Sequence, residues 1–241
     1  MNYREKFYAK YVTNNTFYLY GKLSIKDIKK QFVVWNKYFY KFIPSDKHAS
    51  IVEIGCGNGG LIYWLHNMGY INASGIDVSL EQIERAKSLG IKKVSQENLI
   101  DFLKDKVESY DVIFMHDVIE HFYKNEIMDI LSMVHRALKK GGVFIIQTSN
   151  GTGIFGNRYR YHDFTHEISF TENSLRQILL MNNFSDLKFY ETAPVIHGIK
   201  SFIRVVLWKF LKLGLQFYLL IETGSSERIL TQNIIVAAFK K

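Results

Sequence analysis

At 241 residues and 47% hydrophobic content, the chain is long enough for one substantial core and reads as a single domain with embellishments. Its one cysteine, Cys56, excludes an intramolecular disulfide, and the opening Met1 to Lys6 has no apolar stretch of the kind a secretion signal needs, so a cytosolic protein is expected. The net charge of +8 is spread without a dense basic block, which argues against nucleic acid and leaves an anionic membrane surface or a phosphorylated substrate.

In chain order, Ser24-Ile25-Lys26-Asp27 has the form of a capping box and precedes Ile28, Phe32, Trp35, Phe39 and Phe42 at helical spacing. This predicts an amphipathic helix ending before Pro44. It is expected to cover a face of the main domain or to form a lid, with Tyr3, Tyr8, Tyr11 or Tyr18 reaching towards a ligand. Ile51 to Ile54 then reads as a strand that gives way to Gly55, Gly57 and Gly59, followed by helically spaced Leu61 to Leu65. Glycines in such a turn let a ligand lie directly on the main chain and offer it backbone donors. Gly55, Gly57 and Gly60 also satisfy the dinucleotide-binding spacing, and Asp77, at the end of a second strand, suits ribose hydroxyls in either case. At this point two nucleotide readings stay open.

Ser79 is expected to cap a helix through Leu89 that Gly90 ends, Lys93 to Ser95 to start a third strand, and Tyr110 to Met115 to form a fourth. A helix from Glu126 to Leu138, ended by Lys139-Lys140-Gly141-Gly142, precedes a fifth strand at Val143 to Thr148. After a polar loop come Arg158 to Glu167, dense in functional side chains, a helix capped by Thr171, and a sixth strand at Leu187 to Thr192. Ile199 to Ile221 is strongly apolar, yet Lys200, Arg204, Lys209 and Lys212 break it before it can span a membrane. It is expected to be a pair of helices packed on the domain, or a segment touching a membrane surface. The last strand is Ile234 to Phe239. Strands alternating with helices predict an α/β, doubly wound, mostly parallel sheet.

These residues resemble the class I S-adenosylmethionine-dependent methyltransferases over nearly all of Ile51 to Lys241. The resemblance rests on Val52 to Gly59, Asp77, Asp111-Val112-Ile113, Val118-Ile119-Glu120-His121 and Leu138 to Gly142. Glu53, two residues before the first glycine, belongs to that family's motif and breaks the tie between the nucleotide readings. The family implies a Rossmann-like seven-stranded sheet with an antiparallel last strand. The expected divisions are an N-terminal helical cap (1–48), a cofactor-binding core (49–195), a helical insertion (196–231) and the last strand (232–241). It also implies S-adenosylmethionine as cofactor and S-adenosylhomocysteine as product, held by Glu53, Gly55, Cys56, Gly57, Asn58, Gly59, Asp77, Val78, Asn98, Leu99 and His116.

Within the family the chain is similar to bacterial sugar and small-molecule O-methyltransferases, including enzymes of surface-polysaccharide clusters and relatives of the ubiquinone O-methyltransferases. Val118 to His121 and Asp163 to His166 carry this narrower likeness. No Asn/Asp-Pro-Pro-Tyr/Phe sequence follows the fourth strand, which by resemblance argues against methylation of adenine or amide nitrogen. Methyl transfer to oxygen requires alignment of donor and acceptor and removal of the acceptor proton. His121 and His166, then His162, are the candidate bases, with Asp163 or Glu167 as orienters. Arg158 and Arg160, with Tyr161 and Asp163, are the candidate substrate-binding set, the arginines forming a fork for a phosphate or carboxylate. The expected partner is a small molecule, with a quinone or lipid acceptor and a noncatalytic cofactor-binding protein as the alternatives. Asp117, Glu120 and His121 do not make a metal-ligand set.

Overall fold

The computed structural model describes residues 3–16 and 23–241; Tyr18 lies outside them. The chain opens with α1 (Tyr3–Ala9), a π-helical turn (Val12–Thr16) and α2 (Ile25–Tyr38). The cofactor-binding half follows as β1 (Ile51–Ile54), α3 (Gly60–Asn67), β2 (Ser74–Asp77), α4 (Leu80–Ser88), β3 (Val94–Gln96), α5 (Leu99–Leu103) and β4 (Tyr110–His116). The second half holds α6 (Lys124–Ala137), β5 (Leu138–Ser149), α7 (Gly156–Arg160), α8 (Glu172–Met181), β6 (Ser185–Glu191), α9 (Ile199–Thr223) and β7 (Asn233–Phe239).

The seven strands lie in the order β3-β2-β1-β4-β5-β7-β6, and β7 runs antiparallel to both neighbours. The chain winds outward from β1 to β3 and then returns to place β4 against β1. That reversal is a topological switch point, where ligands bind at the carboxyl ends of the strands. Alternation along each strand builds two cores. Val52, Ile54, Ile113, Met115, Phe144 and Ile146 pack with α6 and α8 on one face. Ile51, Val112, Phe114, Val143 and Ile145 pack with α2, α3 and α4 on the other.

The capping box holds: Ser24 Oγ accepts from the Asp27 amide at 3.4 Å, and Asp27 Oδ2 accepts from the Ser24 amide at 3.1 Å. Behind it, Trp35 lies 6.0 Å from Trp64 between ring centroids, and the Tyr38 hydroxyl donates to the Ala193 carbonyl at 2.7 Å. So α2 covers a sheet face, and the lid belongs to α1.

Three expectations are corrected. Leu138 to Gly142 belong to β5 and not to a helix end, because Lys139 Nζ pairs with Asp111 Oδ2 at 2.7 Å beside a register shift in the β4–β5 ladder. Ser79 occupies the N-cap position of α4, but its hydroxyl makes no capping bond. Ile199 to Ile221 lies within one continuous 25-residue helix, Ile199–Thr223, instead of forming a pair. Gly214 does not break it, since an interior glycine costs only about 1 kcal/mol and its neighbours are good helix formers.

Candidate functional site

The turn after β1 is closed by its own hydrogen bonds. The amides of Gly55 and Cys56 both donate to the Ile76 carbonyl at 2.8 and 2.9 Å. The Gly57 amide donates to Asp77 Oδ2 and the Ser79 amide to Asp77 Oδ1, each at 2.8 Å. These amides are therefore spent on the fold, and what the turn offers a ligand is bare main-chain surface. Gly55 sits at φ +71°, and a Cβ there would lie 2.4 Å from Val118 Cγ2. Only glycine fits.

A cavity of about 510 Å³ opens over this turn, within the range of small-molecule sites. Gly55, Gly57, Asp77, Val78, Asn98, Leu99, His116 and His121 all line it. Asp77 keeps lone pairs for a ribose beside its two backbone bonds, although burial raises its pKa against those bonds. Asn98 spends its Oδ1 on capping α5 through the Ile100 amide at 2.8 Å. Cys56 packs into the core, and burial pushes its thiol pKa well up. Asn58 turns inward to accept from the Gly60 amide at 3.1 Å, and Gly59, at φ +72°, caps α3 with its open side against Ile91.

Beneath the turn, Glu53 is 3% exposed and its Oε2 has no hydrogen-bond partner among the described residues. Burial, and then Asp77, raise its carboxyl well above the ordinary range. An ammonium arriving at the turn would supply the missing partner.

Helix α1 closes the cavity from above through Arg4, Glu5, Tyr8 and, just past its end, Tyr11. With no buried residue of its own, α1 is held by side-chain bonds. Arg4 is bidentate on Glu126, Tyr3 donates to Glu167, and Phe7 stacks on Phe164 at 5.4 Å. Glu81 fixes the following turn by accepting from the Val12 and Thr13 amides at 2.8 and 3.0 Å. Burial raises the phenol pKa values of both Tyr8 and Tyr11. No hydrophobic periodicity marks Arg4, Glu5, Glu126 or Asp129 as cavity residues; the only sequence signal is the density of tyrosines near the N-terminus.

His121 is the histidine of the candidate set that reaches the cavity. Its Nδ1 lies 2.9 Å from Thr165 Oγ1, which donates at 2.7 Å to Asp163 Oδ1; Asp163 Oδ2 accepts from Tyr11 at 2.8 Å. Because the single hydroxyl proton of Thr165 goes to the carboxylate, Nδ1 carries the histidine proton. Burial, and then His166, lower the His121 pKa to about 4, so the ring is neutral. Although burial works the other way, the bonds from Thr165 and Tyr11 hold the Asp163 pKa low. Next to this network Glu120 is fully buried, accepts from Thr148 at 2.9 Å, and is pushed up to about 8 by burial and Asp117.

The remaining candidates stand outside the cavity. His166 packs edge-on against His121 at 4.6 Å and donates from Nδ1 to the Tyr159 carbonyl. His162, Arg158 and Tyr161 are exposed, and Arg160 donates to the Glu167 carbonyl at 3.1 Å. Neither Arg158 nor Arg160 is among the residues lining the cavity, so the expected arginine fork does not face it.

A model of the methyltransferase domain matches residues 29–188. The chain belongs to the methyltransferase domain family. The methyltransferase is 27% identical over 123 residues to the protein-lysine N-methyltransferase EFM4 of Saccharomyces cerevisiae, a match covering 44% of this chain and 53% of that protein. Among solved structures, a SAM-dependent methyltransferase from Archaeoglobus fulgidus is 21% identical with TM-score 0.65, over 88% of this chain and 94% of that one. Phosphoethanolamine N-methyltransferase 2 of Haemonchus contortus, solved with S-adenosylmethionine, is 15% identical with TM-score 0.60, over 97% of this chain and 60% of that one. These structures share the seven-stranded fold.

The methyltransferase uses S-adenosylmethionine, and two features of its own residues fit that group: the orphaned buried Oε2 of Glu53 and the Cβ-free floor at Gly55. Glu53 would meet the ammonium, Asp77 the ribose, and Val78, Asn98 and Leu99 the adenine. When bound, the sulfonium supplies an activated methyl group. The protein's own residues at the cavity are α1, which covers it through Arg4, Glu5 and Tyr8, and His121 on its wall.

Proposed function

We propose that the methyltransferase transfers a methyl group to a hydroxyl oxygen of a sugar or a comparable small molecule, in the setting of bacterial capsule or O-antigen synthesis. The observation that carries this is His121, a neutral imidazole on the cavity wall whose proton is fixed on Nδ1, leaving Nε2 as the ring's acceptor. A hydroxyl acceptor loses its proton as the methyl arrives, and a neutral ring nitrogen can accept it, although the lowered pKa makes His121 a weaker base than a free imidazole. The wall also carries Glu5, Glu97, Asp117, Glu126 and Asp129 against one arginine, Arg4, already paired with Glu126. That balance favours an uncharged, hydroxyl-rich acceptor over a phosphorylated one; in a nucleotide-linked sugar the phosphates would stay outside the cavity.

The same acids favour a second reading, in which the acceptor is an amine and the product N-methylated. The relatives that act on lysine or phosphoethanolamine show that family members with amine acceptors exist. A quinone or lipid acceptor is a third.

A screen with labelled S-adenosylmethionine against sugars, nucleotide sugars, amines and quinols tests these readings. Label in a base-stable sugar ether supports the first, and label only in amines replaces it by the second. The screen, with calorimetry on S-adenosylhomocysteine beside it, also separates both from a noncatalytic cofactor-binding protein. In that case the product binds and no acceptor is labelled.

A further inference from the structure

We infer that α9 docks the methyltransferase on an anionic lipid surface, lying in the plane of the interface. Of its 25 residues only Ser201 is buried. Ile199, Ile203, Leu207, Phe210, Phe217 and Ile221 remain exposed, with Ile199 at 82% and Phe210 at 71%. At 3.6 residues per turn these side chains fall in one stripe along a helix about 37 Å long. No core is left for that stripe to cover within the described residues, because the opposite face already makes the contacts that hold the helix. There Lys212 Nζ pairs with Glu191 of β6 at 2.8 Å, and the buried Ser201 Oγ closes the helix's own first turn by accepting from the His197 amide at 2.8 Å.

The charges decide what covers the stripe. Lys200 and Arg204 stand to one side of it and Lys209 to the other, each roughly 70–110° round from its centre. Cations flanking an apolar face are placed to meet lipid phosphates while the apolar side chains enter the acyl boundary by about 5–10 Å. Pairing this face with a second copy is disfavoured, since both flanks are basic and Glu222 is the single acid on the helix. Spanning is excluded as well, for no helix among the described residues is long and apolar enough to cross a membrane. The net charge of +8 adds to the attraction.

Docking also has a direction. Because β6 and β5 both run antiparallel to β7, β6 ends at the carboxyl edge of the sheet, where the cavity opens; the Lys212–Glu191 pair ties α9 to that end. This inference is independent of the acceptor proposed above.

Flotation of the whole chain with vesicles of phosphatidylcholine alone, or mixed with phosphatidylglycerol, tests it. Binding to the mixed vesicles alone, weakened by salt, is expected. The double variant Phe210→Glu with Phe217→Glu, and separately the triple reversal Lys200→Glu, Arg204→Glu and Lys209→Glu, should each lower partitioning at least about tenfold. Affinity for S-adenosylhomocysteine should be unchanged, which reports an intact fold. No enrichment on anionic vesicles, or enrichment untouched by both variants, overturns the inference. So does a dimer in sedimentation that Phe210→Glu dissolves while vesicles bind nothing.

Discussion

Arg4 grips Glu126 across 122 residues of sequence, with Nη1 donating to Oε2 at 2.8 Å and Nη2 to Oε1 at 2.5 Å, while Nη1 also reaches the His121 carbonyl at 3.1 Å. Two hydrogen bonds in a fixed fork fasten the N-terminal helix across the cofactor cavity and onto the backbone of the candidate base. The pair raises the Arg4 pKa and lowers that of Glu126, so both stay charged over the working pH range.

With the fork removed by Arg4→Ala, α1 still has its Tyr3, Phe7 and Tyr8 contacts. Global stability should fall by about 1 kcal/mol or less, because the pair is partly exposed. S-adenosylmethionine should dissociate about tenfold faster, and limited proteolysis should cut the N-terminal segment sooner. Hydrogen exchange in the native protein should slow across Tyr3 to Ala9 when the cofactor is added.

Glu53 should give up its proton when the cofactor binds. Its carboxyl is held protonated above the ordinary range by burial and by Asp77, whereas an ammonium at Oε2 favours the ionised form. Cofactor affinity should therefore rise with pH until the raised pKa of the free protein is passed. Calorimetry in buffers of different ionisation enthalpy should register the released proton. Glu53→Gln should weaken binding by roughly tenfold or more and remove the proton release.

His121 and Glu120 should pull the pH dependence of stability in opposite directions. The histidine pKa falls from 6.5 to about 4, so its contribution is intact above 6.5 and is lost as pH drops towards 4. At about 1.4 kcal/mol per unit, roughly 3 kcal/mol is the most that can be lost. Glu120 is raised from 4.5 to about 8, so its contribution is intact below 4.5 and is lost as pH climbs towards 8. Denaturant unfolding across this range should show His121→Gln flattening the acid limb and Glu120→Gln the alkaline limb. Turnover of His121→Gln should drop by about a hundredfold or more with cofactor affinity kept, if the imidazole takes the acceptor proton.

Gly55→Ala should damage the site twice over. An alanine at φ +71° costs about 1–2 kcal/mol, and its Cβ drives into Val118 Cγ2. Adding Val118→Ala should relieve the collision and leave the dihedral cost. Thermal unfolding of the two single variants and the double variant would show that partial rescue.

Local chemistry decided most of the fold. Apolar strands ending in glycine or carboxylate, helices opened by Ser24 and Thr171, and the acids Glu53 and Asp77 at fixed distances from the turn place β1 to β4 and the cofactor's anchors, because each is satisfied within a few residues or by the adjacent strand. The single long α9 and the strand at Leu138 to Gly142 escaped that reading, since Gly214 and Gly141-Gly142 look like breaks until their surroundings are known.

The upper wall of the cavity left one local signature, the density of tyrosines near the N-terminus that includes Tyr8 and Tyr11. Arg4 on Glu126, Tyr11 on Asp163, and Thr165 between Asp163 and His121 are contacts over long sequence separations, and they set which histidine faces the cavity and which nitrogen carries its proton. The same holds for the outward face of α9: its residues are apolar in the sequence, but only the packed structure shows that Ser201 is buried, that Lys212 pairs with Glu191, and that Ile199, Phe210 and Phe217 stay exposed. Periodicity and spacing fix what a segment does with its neighbours in sequence. Burial and the pairing of distant polar groups are properties of the folded chain alone.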